Sequence, residues 1–435
     1  MSQSRYDAYK DSGVAWLGQV PAHWEVKRIG FVYSERREKV SDKDFAALSV
    51  TKNGIVPQLE TAAKTDDGDN RKKVVAGDFV INSRSDRKGS AGVSSFTGSV
   101  SLICTVLKPQ ISVCNEYSNM LLRSMPFQEE FYRNGQGIVA DLWTTNFSNM
   151  KEILIPLPPL AEQQAIAAFL DRECARIDAL VAAQQRMIAL SKEKRQALIS
   201  HAVTRGLDHA TPYTDSGVAW LGRVPAHWEV KRLKHSVNFA INGVWGDEPQ
   251  NNENDVVCVR VADFDRNLRT VTIHEPTIRN VSLRDRLTRG LKKGNLLLEK
   301  SGGGDLNPVG FVTLYTHELE AVCSNFIAKI ELSHNLSPEY WCYFHAAAYF
   351  SRLNVKSIKQ TSGIQNLDQS QYFDELAIFP PLAEQQAIAA FLDRECARID
   401  TLIERAEQAI VLLRERRSAL IAAAVTGQIR VDGAE

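Results

Sequence analysis

A near-verbatim internal repeat constrains this chain more than any other feature. The segment DSGVAWLGQVPAHWEVKRI at residues 11–29 returns as DSGVAWLGRVPAHWEVKRL at residues 215–233, identical at 17 of 19 positions. A second segment, PPLAEQQAIAAFLDRECARIDALV at residues 158–181, returns at residues 380–403 with 22 of 24 positions identical. The two offsets are 204 and 222 residues, far above the roughly 20–50-residue period of a solenoid. Two duplicated lobes fit better. Each half has a near-identical opening, a private middle and a near-identical close. Duplication without functional consequence does not explain why the frame stays fixed while the middles diverge.

The repeated close reads as a long helix. Two prolines and then Ala-Glu-Gln-Gln supply a rigid start with an acid, Glu162 or Glu384, in the first turn. No Pro or Gly follows until Gly206 in one copy and Gly427 in the other, so residues 161–203 and 383–425 are expected to be helical. In the second copy Leu392, Cys396, Ile399, Ile403, Ala406, Ile410, Leu413, Leu420 and Ala424 follow alternating four–three spacing, interrupted by Arg417. The first copy matches with Leu170, Cys174, Ile177, Val181, Ile188, Leu198 and Ala202, broken by Gln184, Ser191 and Arg195. A heptad stripe of this length predicts a coiled-coil seam, and the obvious partner of each helix is the other copy, antiparallel.

The middles read as α/β globules, short apolar runs alternating with Gly, Ser and Asn turns. Gly77-Asp78-Phe79-Val80-Ile81 echoes Gly294-Asn295-Leu296-Leu297-Leu298, and Gly137-Ile138…Leu142 echoes Gly363-Ile364…Leu367. One fold carrying two different surfaces is expected. The chain then divides into a first lobe (1–157), a first helix (158–204), a second lobe (205–379), a second helix (380–426) and a short tail (427–435).

Few residues suggest catalysis. The run Ser301-Gly302-Gly303-Gly304-Asp305 lacks the following Gly-Lys-Ser/Thr of a phosphate loop, so a turn or a close backbone approach is favoured. No methyltransferase cofactor loop or Asn/Asp-Pro-Pro-aromatic element occurs. Asp78 with Asp86, Arg87 and Lys88 resembles the Mg²⁺ cluster of many nucleases, though Asn295 replaces Asp78 in the other lobe. His23 and His227 lack a second ligand at metal spacing and read as structural, beside a core tryptophan.

Lys+Arg and Asp+Glu both number 52 in the 435 residues, which excludes a polycation or an acidic tail. No apolar stretch approaches the length of a membrane span, and MSQSRYDAYKDSG lacks a signal-peptide core. Seven scattered cysteines suggest a reduced compartment, hence the cytoplasm. Basic clusters stand at Arg71-Lys72-Lys73, at Arg84 with Arg87-Lys88, and at Arg284, Arg286, Arg289, Lys292 and Lys293. Arg, Lys, Asn, Gln and Ser on loops are the side chains that contact phosphates and base edges, but such clusters taken alone are more often solvated faces, and a neutral chain favours that reading further.

The whole plan closely resembles the specificity subunit of Type I restriction–modification systems. The matching pieces are Gly13-Val14…Trp16-Leu17-Gly18…Pro21…His23-Trp24 with its second copy, and the Pro-Leu-Pro-Pro-Leu-Ala-Glu-Gln-Gln helix start. The second lobe adds residues 297–305 (LLEKSGGGD) and 361–367 (TSGIQNL), and Asn295 stands where the family pattern usually has Asp. The resemblance implies two α/β target-recognition domains, inverted on an antiparallel coiled coil with pseudo-two-fold symmetry. Each would read half of a split, asymmetric double-stranded DNA site, the helices setting the gap. Two methylase subunits carrying S-adenosylmethionine would methylate adenine, and motor–nuclease subunits using ATP and Mg²⁺ would join for restriction. The chain itself would hold no cofactor or metal and catalyse nothing. The candidate DNA contacts are Arg84, Arg87, Lys88, Lys300, Asn307, Gln360, Gln365 and Asn366. A rod with two protein-binding lobes remains the alternative.

Overall fold

The computed structural model describes residues 4–60, 68–137, 143–304, 306–361 and 363–431. The chain packs as two units, residues 1–185 with 407–435, and residues 186–406. Each unit combines one lobe with the start of one long helix and the end of the other.

The first unit is built on a four-stranded antiparallel sheet. Its order is Ala91–Val93, Phe79–Asn82, Cys104–Pro109, Tyr33–Glu35. The second unit has the same order in Val312–Leu314, Leu296–Glu299, Ile327–Leu332 and Val237–Asn242, extended by Thr270–Val271 and Phe264–Asp265. In both, a strand from the repeated opening pairs with the strand that precedes the long helix. These pairs are Glu25–Arg28 with Leu154–Leu157, and Glu229–Arg232 with Leu376–Phe379. The private middle is therefore closed off between two framing strands.

The echo at Gly77 and Gly294 is one turn built twice. Both glycines have positive φ, +95° and +93°, which a side chain would strain. The next side chain closes the turn: Asp78 accepts from Val75 N–H and Asn295 from Lys292 N–H, each at 2.8 Å. Asp and Asn close this turn alike because the turn needs only a carbonyl-type acceptor.

The long helices run Leu160–Arg205 and Leu382–Val425, 46 and 44 residues. Within each unit they are antiparallel. In the first, Ile166, Ala167, Leu170 and Cys174 share a core with Ile421, Ala424 and Val425. In the second, Ile388, Ala389, Leu392 and Cys396 meet Ile199, Ala202 and Val203, the same positions at the 222-residue offset. Along the second helix the predicted stripe is buried at Leu392, Cys396, Ile399, Ile403, Ala406 and Ile410. Leu413 and Leu420 of the predicted stripe are only half-buried, while Ile421 and Val425 are buried. At its end the helix rotates a second apolar face into the lobe core.

The arginines that break the heptad stripe are interhelical partners. Arg417 pairs with Asp178 (3.1 Å) in the first unit, and Arg195 pairs with Asp400 in the second. A charge on the seam is tolerated because the facing helix presents a carboxylate at the matching height.

Candidate nucleic-acid interface

In the second unit the resemblance motifs converge on one small antiparallel sheet. Ser301–Gly302 pairs with Ile364–Leu367, which pairs with Ile358–Thr361. Gln360 and Gln365 are directly opposed, as are Ser301 and Asn366. Gln360 and Asn366 are exposed, and Asn366 Oδ1 accepts from Ser301 Oγ at 2.5 Å. Gln365, by contrast, is buried, and its Oε1 accepts from Val309 N–H at 3.3 Å. It anchors the glycine loop and presents no free face.

The glycine loop folds onto itself. Gly304 N–H donates to Asn307 C=O at 3.0 Å, and a Cβ at Gly303 would lie 2.8 Å from Val309 N. Close approach to its own backbone accounts for the run without a phosphate. Asn307 stays exposed on that loop. Lys300 donates to Asn242 Oδ1 at 2.7 Å, and burial pushes its pKa below the usual lysine range. Asp305 and Ser362 lie outside the described residues.

Among the described residues of the first unit, the corresponding region holds isolated bridges, Arg84 with Thr144 and Gln136 with Thr144. The echo at residues 138–142 lies outside the described residues. Arg84 is exposed on a cleft of about 520 Å³ lined also by Thr144, Asn146, Ser148 and the exposed Leu102 and Ile103. Thr144, Asn146 and Ser148 are not among the residues singled out from the sequence. The polar run Thr144-Thr145-Asn146-Phe147-Ser148-Asn149 was the available signal. Arg87 pairs with Asp86 (3.6 Å), and Lys88 pairs with Glu129 (2.5 Å) and lies over the Tyr132 ring.

The nuclease-like cluster does not assemble. Asp78 is buried and takes two bonds from Arg36, at 2.7 and 3.0 Å, in addition to its turn bond. Lys88 and Asp86 are paired elsewhere, as above. Among the described residues no three His, Cys, Asp or Glu side chains come together at metal-binding spacing.

Two of the basic clusters are largely spent internally. Arg71 is buried on Ser99 (2.8 Å), Lys72 binds Glu35 (3.0 Å), and Lys73 binds Glu38 (2.8 Å). Despite its burial, Glu35 is held below the usual carboxylate range by Lys72 and Arg37. In the second lobe Arg286, Arg289 and Lys293 pair with Glu320, Asp285 and Glu318. Runs of like charge in sequence became alternating charge in space.

His23 and His227 tie the repeated opening to the helix start, through Glu162 (2.8 Å) and Glu384 (2.6 Å). No described helix is long and apolar enough to cross a membrane.

The sequence matches the Type I restriction modification DNA specificity domain twice, over residues 21–186 and 225–410. It is 24% identical over 375 residues to the Type I restriction enzyme StySPI specificity subunit of Salmonella potsdam, covering 82% of this chain and 76% of that one. It is 22% identical to the EcoKI specificity subunit of Escherichia coli (strain K12), covering 95% and 90%. Among solved structures, a chain from a type I R-M system superimposes with a TM-score of 0.70 at 16% identity, over 93% of this chain and 98% of that chain. The HsdS subunit of Thermoanaerobacter tengcongensis gives 0.55 at 18% identity, over 94% and 98%. With both copies of the domain spanning most of its length, the chain belongs to the Type I restriction–modification DNA specificity family, whose members recognise DNA targets.

Proposed function

We propose that this chain is the non-catalytic recognition subunit of a cytoplasmic Type I restriction–modification assembly. Residues 1–157 and 205–379 are its two target-recognition domains, each reading one half of a bipartite, asymmetric site in double-stranded DNA. The long helices set the spacing of the halves. Adenine methylation belongs to two methylase subunits that hold S-adenosylmethionine, and restriction to motor–nuclease subunits that use ATP and Mg²⁺.

The observation that carries this reading is the contrast between a duplicated frame and unlike exposed polar surfaces at corresponding places on it. Arg84, Arg87, Lys88, Thr144, Asn146 and Ser148 in the first lobe, and Lys300, Asn307, Gln360 and Asn366 in the second, are the side chains proposed to meet DNA. Gln365 acts behind them as a positioning residue. A chain with no net charge holds phosphates weakly alone, so tight specific binding is expected only with the methylase present.

Exchanging residues 234–378 for the corresponding segment of a relative tests the reading. Sequencing of methylated sites should show one half-site changed and the other kept. A change in both halves, or in neither, would overturn it.

A further inference from the structure

Each unit contains a cavity where its lobe meets the end of a long helix, and both cavities are strongly cationic. In the first unit the cavity is about 710 Å³, lined by Lys52, Lys88, Arg123, Arg414 and Arg417, with Glu129 as the one acid. In the second it is about 370 Å³, lined by Lys192, Arg195, Arg266, Arg269 and Arg352, with no acid in its wall among the described residues.

The helix side is the same surface twice, because Lys192, Arg195 and Gln196 occupy the positions of Arg414, Arg417 and Ser418 at the 222-residue offset. Duplication accounts for that half. It does not account for the lobe side, where the residues are unrelated. There Lys52 follows the strand Leu48–Thr51 in the turn before Gly54–Pro57, and Arg266 and Arg269 stand between Phe264–Asp265 and Thr270–Val271. Two private sequences have put cations against one repeated helix face.

Internal pairing uses only part of this charge. Glu129 is paired with Lys88, Asp178 reaches Arg417, Asp400 reaches Arg195, and Glu299 reaches Arg266. Arg123, Arg414 and Lys52 form no ion pair among the described residues, nor do Lys192, Arg269 and Arg352. Arg123 is half-buried, with its guanidinium on Lys52 C=O at 2.7 Å. Burial and then the nearby Arg417 charge both push its pKa down, a repulsion that an anion in the cavity would relieve. The cavities also adjoin the proposed reading surface, since Lys88 lines the first and Asn307 the second.

We propose that the two cavities hold backbone phosphates of the bound duplex, one cavity per lobe, and so grip it without regard to base sequence. This rests on the DNA-recognition reading above. Walls made of guanidinium and ammonium groups recognise charge and leave base identity to the neighbouring loops.

The test uses the full chain assembled with its methylase subunits. Two duplexes of equal length, one with and one without the target, are titrated across salt concentrations. The variants are Arg414→Gln and Arg352→Gln, both exposed in the protein, with Arg414→Lys and Arg352→Lys as charge-preserving partners and the unfolding midpoint as a check on folding. Each Gln variant should lower the slope of log K against log salt by about 0.9, so that wild type loses about three-fold more affinity than the variant between about 50 and 200 mM salt. Both duplexes should weaken by the same factor, the methylated sequence should not change, and the Lys variants should restore the slope. An unchanged slope and affinity, or a loss confined to the target duplex, would overturn the proposal. So would release of the methylase on size exclusion, which would mark the cavities as a protein-docking surface. Failure of the wild-type assembly to bind either duplex would instead remove the DNA reading itself, and is visible before any substitution is made.

Discussion

The two long helices begin with the same residues but satisfy them differently. Glu162 is buried, 3% exposed, and binds Tyr6 Oη at 2.6 Å and His23 Nε2 at 2.8 Å. Glu384 is 39% exposed and binds His227 Nε2 at 2.6 Å and Trp228 Nε1 at 2.9 Å. The position of Tyr6 is Ala210 at the repeat's offset, so no phenol competes for Glu384 and the indole takes its place. In the first unit Trp24 Nε1 is left without a partner. A copied motif thus specifies a joint between opening and helix, while residues outside the copy decide its burial and strength.

The seam pairs sharpen the same comparison with the largest expected effect. The Arg195 side chain is 10% exposed and that of Arg417 is 38% exposed. Asp400→Ala strands a buried cation that retains only Asn267 as a side-chain partner, and should cost about 3 kcal/mol in chemical unfolding. Asp178→Ala leaves Arg417 partly exposed, on the wall of an open cavity, and should cost less than about 1 kcal/mol. Equal losses would show that the two joints do not differ.

A second asymmetry is acid lability. His345, wholly buried in the second unit's helix Pro338–Phe350, bonds Tyr372 Oη at 2.8 Å, and burial pushes its pKa down to about 3. Its unfolded value is about 6.5, so below that pH the unfolded state binds the extra proton. Stability contributed by the neutral ring is present above pH 6.5 and lost as pH falls towards 3, by about 2 kcal/mol at pH 5. The first unit's one histidine, His23, is half-exposed. Hydrogen exchange at pH 5 against pH 7 should open the second unit first, and His345→Leu should flatten that difference. A uniform response of both units would break the comparison.

Smaller effects follow at the helix start and at the small sheet of residues 301–302, 358–361 and 364–367. Tyr6→Phe removes a bond to a buried carboxylate and should cost about 1.5 kcal/mol, whereas Ala210 offers no equivalent bond to lose. Asn366→Ala should shift stability by less than about 0.5 kcal/mol yet relax recognition of one half-site, as read by methylation-site sequencing. Gln365→Ala should destabilise the chain by about 1 kcal/mol, because Val309 N–H loses its acceptor. If Asn366→Ala destabilised more than Gln365→Ala, the division between exposed reader and buried anchor would be wrong.

The repeat, the helix lengths, the α/β class of the lobes and the family were all legible in the sequence. They rest on local chemistry: proline starts, unbroken helix-forming runs, glycine stops and a duplicated register. The site was legible only in part. The motifs at residues 297–305 and 361–367 converge as one sheet, but Gln365 faces inward because alternate strand residues face opposite sides. Which of two adjacent amides reaches solvent depends on what the sheet packs against. Arg71, Lys72 and Lys73 are spent internally for a similar reason, since their partners Ser99, Glu35 and Glu38 lie elsewhere along the chain.

Sequence alone therefore determined the frame, two lobes opened and closed by copied segments, because those segments carry their own start, stop and seam signals. Tertiary structure decided which charges remain unpaired, which of the seam arginines is buried, and where the helix ends meet the lobes. Glu35, Asp178, Glu299 and Asp400 each neutralise a cation at least 33 residues distant along the chain. Electrostatic pairing depends on distance in space, and only the fold brings such residues within reach.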